Sequence, residues 1–455
     1  MANRLARKYA PLDVLRGSSR GPALVGRANQ YTVVSPLGPT TSKSAGIYQD
    51  GADYSYFVEA KFGAAEKPMY MLLDSGAGTT WVMGSTCKST ACLMHNTFGP
   101  DDSKTLKVDA KDFSISYGTG TVGGQLAHDS ISVAGMKLDM RFGLANETSN
   151  DFTHFPFDGI LGLSMGSGST DNFMGSMMEK KMLDARIFSL NIGRASDGIN
   201  NGQVTFGGAD SSKYSGDISY TPVSPKANGD WAIQMDDFGH NGKTSGLTNR
   251  LAYIDTGTSY AFGSESDVAA IHKVIPGATS TDKIYYSLPC NTDTPLTVKF
   301  SGVTYTISAK DWISKRDGAC WSNIYGYEVV KGSWLFGDLF LKNVYTVFDG
   351  AQKRIGFASK AALPDVPKTT IISTAPSVTE GLGGHLPTTS PLTSPDGSIS
   401  SPPAGQQSDG ATGGGTGAGP SGPSSTPTHV SPADQLENSV YVSVLCVIAV
   451  MAMVA

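Results

Sequence analysis

Apolar residues in this chain recur mostly in short runs or at every second position, the spacing of strands, and helical spacing is scarce. Tyr56-Phe57-Val58-Glu59-Ala60-Lys61-Phe62-Gly63 alternates and predicts a strand. Met69 to Asp74 is an apolar run that ends on an acid, which predicts a buried strand. Phe113 to Tyr117 alternates into Gly118-Thr119-Gly120, the signature of a hairpin. Gln203 to Gly208 and Trp231 to Met235 predict two more strands. Two short helices are predicted, Asp171 to Leu183 behind an Asp or Asn cap, and Ser266 to Ile275 stopped by Pro276.

One pattern occurs twice. Leu72-Leu73-Asp74-Ser75-Gly76-Ala77 returns as Tyr253-Ile254-Asp255-Thr256-Gly257-Thr258, about 180 residues later. Each copy reads as a buried strand that ends in a sharp turn carrying a carboxylate, with a glycine to allow close backbone approach. The second halves match as well: Asp158-Gly159-Ile160-Leu161-Gly162-Leu163 follows the first copy, and Trp334-Leu335-Phe336-Gly337-Asp338 follows the second. A long internal duplication is read before any local motif. This one predicts two lobes about a pseudo-twofold axis, each contributing one carboxylate to that axis.

Composition narrows the class. The 455 residues can bury two sizeable cores, charged residues are 16%, and glycine is abundant, which favours a mainly β enzyme with many turns. A net charge of −5 gives no reason to expect a nucleic-acid partner. Residues 1–53 carry about +4 and the remainder about −9. Of five cysteines, Cys87 and Cys92 enclose a short loop, Cys290 and Cys320 lie thirty residues apart, and Cys446 is left over. Cys87 and Cys92 lack a second nearby pair at zinc-ligand spacing, so no metal is expected.

With Trp81, the Tyr117-Gly118-Thr119-Gly120 segment, Thr346-Val347-Phe348-Asp349 and Ile355-Gly356-Phe357-Ala358 added to the duplication, the chain resembles the pepsin-like aspartic proteases over roughly Tyr54 to Ala361. The resemblance implies a bilobal, mainly β acid-protease fold with the active-site cleft between pseudo-twofold related lobes. It implies an endopeptidase acting on extended polypeptides, no cofactor, sensitivity to pepstatin-type inhibitors, and a monomer. Asp74 and Asp255 would be the catalytic pair, sharing one proton because adjacent carboxylates cannot both ionise easily. A proton shared in this way is a general property of the aspartic-protease dyad. One carboxylate would activate a water and the other polarise the peptide carbonyl. Ser75 and Thr256 would cross-bond between lobes, with Gly76, Gly257 and Thr258 supporting the turns. Tyr117 would be the flap tyrosine and Trp81 its hydrogen-bonding partner, and Gly118 and Thr119 would bond substrate backbone by strand addition. The resemblance further implies disulfides Cys87–Cys92 and Cys290–Cys320, hence an oxidising compartment.

Two departures carry expectations. Ala77 stands where the family usually has serine, so Asp74 loses a donor that would favour its charged form, and the pH optimum is expected to be less acid-shifted. Thr119 is uncharged, so no strong preference for Lys or Arg is expected from the flap. Two decoys fall away, and a metalloprotease motif is absent. Gly118 to Gly123 fits G-x-G-x-x-G without a following helix, Gly162 to Gly166 fits G-x-S-x-G without alternating βα units, and no H-E-x-x-H occurs among seven histidines.

The expected organisation is a basic N-terminal segment over 1–53, an N-terminal lobe over 54–195 and a C-terminal lobe over 196–361. A Pro/Ser/Thr/Gly-rich stalk follows over 362–431, and a spacer with hydrophobic tail over 432–455. The basic segment reads as an inhibitory pro-segment or a disordered arm. It holds no apolar run long enough for a signal peptide, so against the disulfides the start of the sequence is expected to be incomplete or misassigned. The stalk cannot bury enough surface to fold. Val440 to Ala455 is an uncharged apolar run, too short at roughly 24 Å for a bilayer core of ~30 Å. Small residues, a polar spacer and this tail fit a GPI-attachment signal, with the attachment residue among Ser421 to Ser431. Asn146-Glu147-Thr148 is a candidate N-glycosylation site. Together these resemble the GPI-anchored aspartic proteases of filamentous fungi and yeasts, placed outside the plasma membrane or in the cell wall. A non-catalytic pepsin-like surface binding protein and an intracellular soluble protease are the competing readings.

Overall fold

The computed structural model describes residues 28–363 and the backbone of the strand Ile372–Thr374. The duplication seen in the sequence is a duplication of topology. In the first half, Lys67–Asp74 runs parallel to Gly159–Gly162, with Leu73 opposite Leu161 and Asp74 opposite Gly162. Trp81–Met83 then pairs antiparallel to the same Gly159–Gly162 strand. In the second half, Arg250–Ile254 runs parallel to Ser333–Phe336, and Ala261–Phe262 pairs antiparallel to that strand. Each acid therefore ends a strand held inside a sheet. Leu72, Leu73 and Ile254 are buried, as continuous apolar runs in a doubly covered strand require.

Five sheets of ten, six, five, four and three strands account for the strand pattern among the described residues. The predicted Tyr56 strand is Tyr56–Phe62 and lies antiparallel to Lys67–Asp74. The predicted hairpin is longer than its sequence signal: Lys107–Tyr117 pairs with Gly120–Val133 across the two-residue turn Gly118-Thr119. Both helices form, but shorter. Phe173–Glu179 starts at Asn172, whose side chain accepts from the Gly175 N–H, and stops before Lys181, which takes a positive φ of 56°. Glu265–Lys273 starts at Ser264, whose side chain accepts from the Asp267 N–H.

Composition places the end of the N-terminal segment at residue 53, yet residues 32–49 are already part of the fold. Ser44–Gly46 is the edge strand of the six-stranded sheet, against Gln203–Phe206, and Tyr48–Gln49 pairs with the Tyr56–Phe62 strand. Val33 and Ile47 are fully buried. These strands are too short to show alternation, so the pattern could not reveal them. The six-stranded sheet also spans the division placed at 195/196: Ile187–Asn191 and Gln203–Phe206 lie beside Tyr345–Asp349 and Arg354–Lys360. The two halves thus share one sheet. Residues 1–27, Cys446, and the stalk and tail beyond Leu363 lie outside the described residues, apart from the Ile372–Thr374 backbone, which pairs antiparallel with Thr32–Val34.

Candidate active site

Where the two halves meet, their turns are cross-linked by hydrogen bonds. The Ser75 hydroxyl donates to the Ile254 carbonyl at 3.0 Å, and the Thr256 hydroxyl donates to the Leu73 carbonyl at 2.7 Å. Each hydroxyl oxygen also accepts from the partner's backbone, Ser75 N–H to Thr256 Oγ1 at 2.9 Å and Thr256 N–H to Ser75 Oγ at 3.0 Å. All of these groups are buried, so each bond satisfies a polar group that water cannot reach.

This grip brings Asp74 and Asp255 side by side, at 0% and 2% exposure. The Gly76 N–H donates to Oδ1 of both, at 2.9 Å to Asp74 and 3.1 Å to Asp255. Ala77 N–H donates to Asp74 Oδ1 at 3.0 Å, and Gly257 N–H to Asp255 Oδ1 at 3.0 Å. The approach is so close that a Cβ on Gly257 would lie 2.6 Å from Asp74 Cγ, so only glycine fits there.

The outer oxygens differ. Thr258 Oγ1 donates to Asp255 Oδ2 at 2.7 Å, whereas Ala77 has no hydroxyl and the buried Asp74 Oδ2 has no hydrogen-bond partner. Burial raises the pKa of both carboxyls. For Asp74 the charge of Asp255 adds to burial and the carboxyl is held well above the ordinary range; for Asp255 the Thr258 hydroxyl and the Gly257 N–H oppose burial. Both shifts disfavour a doubly ionised pair, and the stronger push is on Asp74.

Trp81 Nε1 donates to Tyr117 Oη at 2.6 Å. Phe152 packs edge-on against both rings, with centroids 5.4 Å from Trp81 and 6.2 Å from Tyr117. At the hairpin tip Gly118 is exposed and Thr119 is buried. The two disulfides expected from the resemblance are both present, Cys87–Cys92 and Cys290–Cys320. Asn146 is exposed on the Met136–Thr148 strand. No group of His, Cys, Asp or Glu among the described residues could hold a metal ion.

Asp230 carries no signal in the sequence. It precedes the Ala232–Met235 strand and shares a small cleft with Asp255 and Gly76. Nothing local marks it, since it is one more acid before an apolar strand.

The profile of the eukaryotic aspartyl protease family matches residues 55–360. The chain belongs to that family. The aspartic-type endopeptidase ctsD of Aspergillus fumigatus is 40% identical over 408 residues, covering 85% of this chain and 86% of that protein. A probable aspartic-type endopeptidase CTSD of Arthroderma benhamiae is 41% identical over 347 residues, covering 75% and 68%. Pepsin A of Sus scrofa is 33% identical over 321 residues, covering 68% and 82%. This aspartyl protease is therefore an aspartic-type endopeptidase of bilobal, mainly β fold, a hydrolase whose substrates are polypeptides and whose expected inhibitors are of the pepstatin type.

Proposed function

We propose that the protein cleaves extended polypeptides with a water activated between Asp74 and Asp255. The observation that carries this is the single Gly76 N–H shared by both inner carboxylate oxygens, with a donor on the outer oxygen of Asp255 and none on that of Asp74. Asp255, ionised, takes a proton from the water. Asp74, protonated, donates to the peptide carbonyl oxygen as the water attacks its carbon. The tetrahedral diol then collapses when a proton reaches the leaving nitrogen and the C–N bond breaks. Ser75, Thr256, Gly76, Gly257 and Thr258 hold the pair in place. Tyr117 and Trp81 order the flap, and Gly118 and Thr119 offer backbone groups to the substrate strand.

The dyad works while it retains one proton, so activity lies on the acid side of neutrality, extended upward by Ala77. Presentation at the cell surface on a lipid anchor is the accompanying reading. Its support is the Pro/Ser/Thr/Gly-rich stretch and the uncharged apolar run Val440 to Ala455. The bridges Cys87–Cys92 and Cys290–Cys320 agree with an oxidising compartment.

The test is casein cleavage by the parent with and without pepstatin, and by Asp74→Asn and Asp255→Asn. Pepstatin-sensitive cleavage that both substitutions abolish supports the reading. Cleavage surviving in either variant overturns it, and a protein that binds polypeptide without cutting it would instead be a surface binding protein. Release from cells by a phosphatidylinositol-specific phospholipase tests the anchor.

A further inference from the structure

The 3₁₀ turn Asn150–His154 carries Phe152, whose ring packs edge-on against Trp81 at 5.4 Å and Tyr117 at 6.2 Å. A turn this short cannot bond its own last carbonyls, and these must be met from outside. The Thr153 carbonyl accepts from Tyr31 Oη at 2.7 Å. The Phe155 carbonyl, just past the turn, lies 2.7 Å from His95 Nε2. The Tyr31 ring packs on that same imidazole, with centroids 4.9 Å apart. One residue of the N-terminal segment therefore touches both anchors of the turn.

Tyr31 is itself held. The neighbouring Asn29 is 5% exposed, and its Nδ2 donates to the Pro156 carbonyl at 2.6 Å and to Asp158 Oδ1 at 2.8 Å. Its Oδ1 accepts from the Tyr31 N–H at 3.0 Å, so the buried amide is satisfied on both sides. The Gln30 N–H donates to the Met94 carbonyl at 3.1 Å. Beyond Tyr31 the chain continues as the strand Thr32–Val34, which lies between Ile372–Thr374 and Tyr48–Gln49 in the ten-stranded sheet. Val33 is fully buried in the same apolar core as Trp81, Tyr117 and Phe152. Residues 29–34 are thus a strap built into the lobe that carries the flap.

We propose that Tyr31 is a positioning residue for the flap, acting through the Asn150–His154 turn and Phe152, and that the working protease keeps residues 29–34. This rests on the reading of Tyr117 as the flap tyrosine and of Asp74 and Asp255 as the cutting pair. The Tyr31 hydroxyl fixes the turn, the turn sets Phe152, and Phe152 supports the packing of Trp81 and Tyr117. A flap that is held in one arrangement binds the substrate strand without first having to be ordered. Composition assigns residues 1–53 to a single N-terminal segment; the strap belongs instead with the catalytic body, whatever is removed ahead of it.

The experiment measures steady-state cleavage of a quenched fluorescent peptide, taken from a site the parent cuts in casein, by the parent and by Tyr31→Phe, which keeps the ring on His95 and removes the hydroxyl. The expected result is a loss of about fivefold in kcat/KM, the scale of one hydrogen bond, carried by KM with kcat kept. Phe152→Leu keeps an apolar side chain and removes the ring through which Tyr31 acts. In that background the same Tyr31→Phe change is expected to cost less than twofold. The N-terminus of the active protein is expected at or before Asn29. Three results overturn the assignment and leave the protease reading intact: unchanged KM in Tyr31→Phe, even with a lower thermal midpoint; the same loss in both backgrounds; or an active protein that begins after Tyr31. A parent that neither cuts casein nor binds pepstatin overturns both.

Discussion

The Thr258 hydroxyl donates to the outer oxygen of Asp255 at 2.7 Å, and the matching position in the other half of the molecule is the methyl of Ala77. The duplicated turns are therefore unequal at the outer carboxyl oxygen, which has a donor on Asp255 and none on Asp74. Replacing Ala77 with serine would supply the missing donor to Asp74 Oδ2 and favour its ionised form. The pH–rate profile is expected to move to lower pH by about one unit, the scale of one hydrogen bond to a charge. A profile that does not move would show that the asymmetry lies elsewhere.

Trp81 and Tyr117, the last residue of the Lys107–Tyr117 strand, are joined by a 2.6 Å hydrogen bond. Trp81→Phe keeps the ring and removes the donor. The expected loss in kcat/KM is about five- to tenfold, the equivalent of roughly 1 kcal/mol, with folding retained. Steady-state kinetics together with the thermal midpoint separate a flap defect from a general loss of structure.

The Thr256 hydroxyl both donates to Leu73 and accepts from Ser75, so it carries two of the four bonds that the Ser75 and Thr256 hydroxyls make across the halves. Thr256→Val preserves the shape and strands both partners in a buried setting. The expected destabilisation is about 1–3 kcal/mol, read from the denaturant midpoint. Activity should fall more than stability alone explains, because the carboxyls lose their alignment. Equal activity in folded Thr256→Val would mean the grip is dispensable.

Burial raises the carboxyl of Asp50 to about 6 and raises those of Asp158 and Asp338. A carboxyl raised in the folded state contributes stability below its unfolded pKa of about 4, and that contribution is lost as pH rises through the folded value. Asp210, lowered to about 2, works the other way only in strong acid. The thermal midpoint is expected to be higher near pH 4 than near pH 7.5. Asp50→Asn, which keeps the Oδ1 that accepts from Ala52 and Tyr54, should shrink that difference.

The acids are legible in the sequence because each sits between an apolar run and a glycine, a pattern that survives without any tertiary context. Leu73 and Ile254 are buried as their runs require, and the cysteines pair as the resemblance implies. Residues 32–49 are opaque because two- and three-residue strands have no readable period; their place is fixed by partners such as Gln203 and Tyr56 far along the chain. The helix after Asn172 ends sooner than its pattern suggests because Lys181 takes a left-handed backbone that its side chain does not advertise. Asp230 is hidden for a related reason. The small cleft it lines with Tyr253, Asp255 and Leu335 exists only once distant strands are adjacent.

The edge strand Ser44–Gly46 closes the six-stranded sheet, and Val33 and Ile47 sit in the interior with it. Proteolytic ripening of a precursor would have to respect that. A nick between Val34 and Tyr48 would unzip the sheet seam and empty interior sites, whereas trimming ahead of residue 28 would spare every strand pairing described above.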